Sequence, residues 1–208
     1  MTDGRRRLLI ATGSRHKLDE LRAMLDLPAT ELLSLDEAGL SDSAVESGAT
    51  FEENATLKAR HYAELSGLPT LADDSGLEVD ALGGRPGIYT RRYAGPDATD
   101  DENNELLLGE LDGMGVAPVE RTARYRCVLV LVEPDGDGVL TSHGSFEGRI
   151  AMAPRGGGGF GYDPIFEPAT EPLGGRTVGQ LSAAEKNAIS HRAQAARAMR
   201  DLLYRRGY

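Results

Sequence analysis

The stretch RTARYRCVLVLVEPDGDGVLTSHGSFEGRI, residues 121–150, carries the longest β signal in the chain. Two runs rich in β-branched and aromatic residues flank Pro134-Asp135-Gly136-Asp137-Gly138, a cluster of turn formers, so the segment reads as a hairpin. Upstream the periodicity changes. RLLIATG (7–13) is a short apolar run ending in Gly, a buried first strand, and Leu18, Leu21 and Leu25 then recur at helical spacing, predicting a helix over about 16–26. A strand near 31–35 and a polar loop lead to a second helix from Phe51 to Ser66, with Ala55, Ala59 and Tyr62 on one stripe and Gly67 as its stop.

PTLADDSG (69–76) predicts a short strand running into two carboxylates and a turn, and LEVDALGG (77–84) a further strand ended by paired glycines. A helix is expected over about 100–112, where acidic residues fill the first turn, and another over 182–205. Strands joined by helices therefore coexist with a long hairpin, which makes the chain an α/β protein with a mixed sheet and flanking helices. No repeat or linker divides it, so residues 1–208 are expected to form a single domain.

Composition narrows the function. The 208 residues are 40% hydrophobic and 27% charged, as in an ordinary globular protein. No apolar run approaches the roughly 20 residues needed to span a bilayer. The net charge of −10 argues against general affinity for nucleic acid, which needs a basic face to displace counterions. That charge is unevenly placed: residues 1–22 carry +3 and residues 181–208 carry +4, leaving −17 for the middle. Basic ends around an acidic centre could converge on an anionic ligand held with a metal. The lone Cys127 excludes an intramolecular disulfide and reads as an inert core thiol, and the chain is expected in the cytoplasm.

Five strings carry chemistry. ATGSRHK (11–17) joins a strand to a helix, a turn that offers backbone N–H groups to phosphate, though taken alone it reads better as a plain N-cap. In LADDSGLE (71–78), two adjacent carboxylates suit Mg²⁺, which takes one or two carboxylates plus phosphate oxygens and water. Neighbours on a strand point to opposite faces, so Asp73 and Asp74 share a role only if the backbone turns there; an Asx-turn remains open. VESGATFEENATLKAR (45–60) places Glu46 before a helix, free to reach a metal, while Glu52 and Glu53 complement the helix dipole.

RGGGGFGYDP (155–164) contains GxGxxG without the following helix of a dinucleotide site. It delivers Phe160, Tyr162 and Asp163 in a chain with 4 Phe, 7 Tyr and no Trp, where an aromatic face could stack on a base or staple the loop to the core. LSAAEKNAISHRAQA (181–195) opens with a capping box, Ser182 with Glu185. In one straight helix Lys186 and His191 would diverge by about 140°. A break at Ser190 puts His191 and Arg192 in a fresh first turn beside Lys186.

Taken in order, ATGxxxK, FEENAxxKAR, ADDSGLEVDALGGxPGIY, GGFGYDPIF and LSxAEKNAISHR resemble the inosine triphosphate pyrophosphatase family, the dITP/XTP or non-standard purine NTP pyrophosphatases. The resemblance runs from residue 8 to about 203. It implies an elongated mixed β-sheet with flanking helices, two lobes around a central active-site cleft, and a homodimer. It also implies Mg²⁺-dependent hydrolysis of ITP, dITP and XTP to the monophosphate and pyrophosphate, with a small nucleotide, no nucleic acid and no membrane as partner. Thr12, Gly13, Ser14 and Lys17 then correspond to the phosphate turn, assisted by Lys58. Asp74 corresponds to the general base and a metal ligand, Glu46 to a second ligand and Ser75 to a substrate contact. Phe160, Gly161, Tyr162 and Asp163 correspond to the nucleobase wall, and Lys186, His191 and Arg192 to further substrate contacts, the last two directed to the base. Ser14 stands where the family usually has Asn, and His16 where it often has Gly. Alternatives are a pyrimidine triphosphate pyrophosphatase and a catalytically silent nucleotide sensor.

Overall fold

In the computed structural model, which describes residues 5–135 and 138–208, a mixed six-stranded sheet carries five α-helices. The strands are β1 (Arg6–Ala11), β2 (Thr30–Leu33), β3 (Thr70–Val79), β4 (Thr122–Val132), β5 (Val139–Ile150) and β6 (Phe166–Pro168), in the order β2-β1-β3-β4-β5-β6. β1 runs parallel to β2 and β3, whereas β5 and β6 are antiparallel. β4 and β5 are sheet neighbours joined by a short connection, as the hairpin reading expects. Gly136 and Asp137 of that expected turn lie outside the described residues.

The helices are α1 (Arg15–Leu25), α2 (Phe51–Ser66), α3 (Asp100–Gly113), α4 (Ala183–Ile189) and α5 (His191–Arg205). Local chemistry explains their limits. Thr50 caps α2 through the amide of Glu53, and Gly67 ends it in the left-handed region at φ 65°. Thr99 with Glu102 and Ser182 with Glu185 form capping boxes on α3 and α4. The expected break is present: Ser190 adopts an extended conformation (φ −66°, ψ 159°) between α4 and α5. No described helix is long and apolar enough to cross a membrane.

One expectation is corrected. Residues 69–84 hold no turn between two short strands; β3 runs unbroken through Asp73, Asp74, Ser75 and Gly76 to Val79. Turn-forming residues yield to tertiary pairing here, because each carboxylate finds cations that outweigh its local preference.

The chain divides into two compact units. The first comprises residues 1–74, 127–144 and 192–208, and the second residues 75–126 and 145–191. In the first unit Leu8, Leu9, Ile10 and Ala11 of β1 are buried on both faces. Leu8 and Ile10 pack with Leu21 and Leu25 of α1 and Met199 and Leu203 of α5, while Leu9 and Ala11 pack with Ala55, Ala59 and Tyr62 of α2. β4 repeats the alternation, with Cys127, Leu129 and Leu131 in the first cluster and Val128, Val130 and Val132 in the second. In the second unit Leu77 and Val79 of β3, Tyr125 of β4, Phe146 of β5 and Leu107 and Leu111 of α3 enclose a separate core with Tyr162 and Phe166.

Candidate active site

The first unit holds two charged clusters, one on each face of β3. Leu71 and Ala72 belong to different cores, so the alternation carries Asp73 to the α1 and α5 face and Asp74 to the α2 face. Asp73 is 2% exposed. Its Oδ1 accepts a hydrogen bond from Lys17 Nζ at 2.5 Å, and its Oδ2 accepts from Arg192 Nε at 3.2 Å and from the Cys127 thiol at 3.4 Å. Arg192, itself 1% exposed, also bonds Glu20 through Nη1. Burial alone would raise the Asp73 pKa, but the charges of Lys17, Arg192 and Lys58 together hold it well below the carboxylate range.

On the other face Lys58 Nζ lies 3.2 Å from Asp74 Oδ1 and 3.4 Å from Glu46 Oε1. Burial raises the Asp74 pKa, and the neighbouring Lys58 and Lys17 oppose it without cancelling it. Lys58 is raised in turn, since Asp74, Asp73 and Glu46 outweigh its own desolvation. Asp74 Oδ2 is buried and has no hydrogen-bond partner. Such an orphaned carboxylate oxygen is costly unless something else satisfies it. Glu46 sits on the loop before α2, where Gly48 N–H donates to Asn54 Oδ1 at 2.8 Å and Ala49 N–H to Glu53 Oε2 at 2.6 Å. Asp74 and Glu46 therefore fit a magnesium ion, which takes few protein carboxylates and completes its shell with water and phosphate. No group of three or more His, Cys, Asp or Glu side chains that could hold a metal gathers among the described residues.

The phosphate turn begins at the end of β1. Ser14 caps α1 by accepting from the Lys17 amide at 3.5 Å, and Thr12 Oγ1 accepts from the Ser14 amide at 3.2 Å. Gly13 is exposed with open space where a side chain would be.

In the second unit the buried carboxylate of Asp163 organises the glycine-rich loop. Its Oδ2 accepts from Lys186 Nζ at 2.7 Å and from the Phe160 amide at 2.9 Å, and its Oδ1 from the Tyr125 hydroxyl at 3.3 Å. Gly159, at φ 76°, has no room for a side chain, since a Cβ there would lie 2.0 Å from Asp163 Oδ2. The Lys186 ammonium sits 4.3 Å from the centroid of the half-buried Phe160 ring. Gly161 is held at both ends, its N–H by Asp100 Oδ2 and its C=O by Asn104 Nδ2. Tyr162 is only 2% exposed and donates to Thr90 O at 2.9 Å, so its ring staples the loop to the core instead of offering a face. His191 is 5% exposed and lies parallel to the Tyr125 ring, 4.8 Å between centroids. Ser75 is half-buried on β3. A surface concavity bordered by Gly95, Pro96, Asp97, Glu102 and Glu105 includes none of these residues.

Thr12, Gly13, Ser14, Lys17, Glu46, Lys58, Asp74 and Arg192 thus belong to the first unit, and Ser75, Phe160, Gly161, Tyr162, Asp163, Lys186 and His191 to the second. Asp73 was weighed in the sequence reading beside Asp74 as a metal carboxylate but given no role of its own, and Glu20 and Tyr125 escaped that reading as site residues. Glu20 was within reach of it, since Lys17 and Glu20 are three apart on one face of α1.

A scan against protein families matches residues 8–202 to the model described as Ham1 family. The chain belongs to the Ham1 family. Two curated relatives are both named dITP/XTP pyrophosphatase: one from Shigella flexneri is 48% identical over 95% of this chain and 98% of its own, and one from Halorhodospira halophila is 48% identical over 93% of this chain and 94% of its own. Among solved structures, a HAM1 protein from Coxiella burnetii is similar at 42% identity with a TM-score of 0.85, covering 96% of this chain and 99% of that one. The Staphylococcus aureus Ham1 protein gives 36% identity and a TM-score of 0.83 over 96% and 98%. The resemblance drawn from the five motifs and the mixed α/β fold class are borne out by the family match and these structures.

Proposed function

We propose that this chain is a nucleoside triphosphate pyrophosphatase that hydrolyses ITP, dITP and XTP to the nucleoside monophosphate and pyrophosphate. Relatives named for that activity supply the substrate class. The observation that carries the chemistry is the buried, unpartnered Oδ2 of Asp74 beside Lys58 and Glu46.

In this reading Asp74 accepts the proton of the attacking water, a role suited to a carboxyl whose pKa burial has raised. Asp74 and Glu46 hold Mg²⁺, which when bound neutralises phosphate oxygens and orients the water. Lys17 and Lys58 stabilise charge developing on the leaving pyrophosphate; each ammonium has three donors, so its contact to Asp73 or Asp74 leaves capacity for phosphate. Thr12, Gly13 and Ser14 line the phosphate turn, with Ser75 as a substrate contact. Phe160 offers the base its ring, Gly161, Tyr162 and Asp163 shape the loop that presents it, and Lys186 completes the wall. His191 and Arg192 read the 6-oxo group, and a 6-amino group, itself a donor, would offer those buried donors no acceptor. The enzyme acts in the cytoplasm as a homodimer, and sedimentation velocity checks the dimer.

The test is pyrophosphate release from dITP, XTP, dATP and dGTP, with Mg²⁺ and with EDTA. dITP and XTP should be turned over far faster than the other two, and only with metal. Equal rates on all four, or turnover in EDTA, would sink the proposal.

A further inference from the structure

Tyr125 has no part in the chemistry described above, yet it is held by its hydroxyl and on its ring. It is 8% exposed, its hydroxyl donates to Asp163 Oδ1, and the Phe166 ring lies against it at 4.8 Å between centroids with the planes tilted by 49°. Burial pushes its phenol pKa well above the ordinary value and the Asp163 charge adds to the shift, so the hydroxyl remains a neutral donor. One side of this fixed ring is covered by the His191 imidazole, with an interplanar angle of only 7°.

His191 is the first residue of α5, directly after the extended Ser190, so the helix start fixes where its Cα lies. The imidazole plane is a separate matter. The second side-chain torsion of His is broad and roughly two-fold, and the backbone does not choose within it. A parallel ring at stacking distance does choose, because rotation of the imidazole would drive its edge into the phenol face. The plane in which the ring N–H groups lie, and hence the plane in which they meet an acceptor, follows from that choice.

We infer that Tyr125 is a positioning residue for base selection: its ring face sets the plane of the His191 imidazole and with it the discrimination between 6-oxo and 6-amino purines. This rests on the reading of His191 as a base contact. Hydroxyl and ring have separable duties. The hydroxyl ties the phenol to Asp163, the carboxylate that also holds Lys186 and the Phe160 amide, while the ring face acts on His191. A flat residue is therefore needed at 125, and an aliphatic one of similar bulk does not serve.

The experiment measures kcat/KM for dITP and for dATP in the wild-type protein and in Tyr125→Phe, Tyr125→Leu, Tyr125→Met and His191→Ala, each first shown by thermal unfolding to be folded at the assay temperature. Tyr125→Leu and Tyr125→Met should lower the dITP-to-dATP ratio by about tenfold, and Tyr125→Phe should keep it. A purely structural role would lower the melting temperature and depress both substrates together, leaving the ratio unchanged. A wild-type protein without preference, or a His191→Ala variant that keeps it, overturns the base-reading assignment itself. With those two controls as expected, an unchanged ratio in whichever of the Leu and Met variants folds, or a Phe variant that has lost it, overturns the role of Tyr125.

Discussion

Asp73 and Asp74 are neighbours in the chain and belong to opposite faces of one unbroken strand. Their environments drive their pKa values in opposite directions: Asp73, against Lys17 and Arg192, is held low, and Asp74, buried with Lys58 as its nearest cation, is raised. Two identical side chains, one residue apart, are thereby separated into a carboxylate that binds cationic side chains and a carboxyl whose charged form burial disfavours. The division follows from the two-residue period of a strand lying between α1 and α5 on one side and α2 on the other.

Asp74→Asn should lower turnover of dITP by about a thousandfold, the scale of a lost general base. It should not unfold the protein. The raised pKa means that folding disfavours the charged form, so in EDTA the melting temperature of the variant is expected to equal or exceed that of the wild type. Differential scanning calorimetry in EDTA, alongside a pyrophosphate assay, checks both. Retained activity would move the base elsewhere, and a strongly lowered melting temperature would show Asp74 to be structural.

Asp73→Asn should behave in the opposite way. It leaves the buried Arg192 and the half-buried Lys17 short of their shared carboxylate, a loss of about 3–5 kcal/mol for a broken buried pair. The pH dependence has a definite sign. Because the folded-state pKa lies below the ordinary 3.8, the stabilisation from Asp73 is complete above that value and is lost as the pH falls below it. Urea unfolding in EDTA between pH 5 and 2 should show the wild type losing stability more steeply than Asp73→Asn, by up to about 1.4 kcal/mol per pH unit for one proton. Parallel curves would remove Asp73 from the account of acid stability.

The helix limits and the hairpin were legible because their causes are local: a capping residue three positions from its partner, a glycine stop, or an apolar run. The break at Ser190 belongs with them, because Lys186 and His191 diverge on any straight helix. β3 was misread for the converse reason. Asp-Asp-Ser-Gly is a turn by local preference, and what straightens it comes from Lys17, 56 residues away, and Arg192, 119 residues away. No window of sequence contains those pairs. Tyr125 was hidden in the same way, since a strand tyrosine looks like any core residue until Asp163 and His191 are placed around it.

Glu46→Gln separates metal binding from base chemistry. Glu46 approaches Lys58 from a loop and its side chain is 35% exposed, so the substitution leaves no buried group unpaired. Removing one of two carboxylate ligands should raise the Mg²⁺ concentration needed for half-maximal rate by about tenfold. The rate at saturating Mg²⁺ should largely recover, whereas added metal should not rescue Asp74→Asn. Direct Mg²⁺ titration by calorimetry, in the absence of nucleotide, gives the same comparison without turnover. A Glu46→Gln variant with unchanged metal affinity would exclude that residue as a ligand.

Cys127 sits beside Asp73 and tempts a nucleophilic reading that the surroundings oppose. The thiol is 1% exposed, and burial raises its pKa well above the ordinary value, with the adjacent Asp73 anion adding to the effect over the opposing charges of Arg192 and Lys17. A thiol reagent at pH 8 should therefore fail to label the folded protein and should label it fully in denaturant. Cys127→Ala should keep kcat for dITP within about twofold of the wild type, since the thiol lends no thiolate to the reaction. It should still destabilise the fold by about 1 kcal/mol, a small core truncation next to Leu129 and Leu131. Rapid labelling of the native protein, or a large loss of kcat in a variant that remains folded, would place the thiol in the chemistry and require a different account of the Asp73 face.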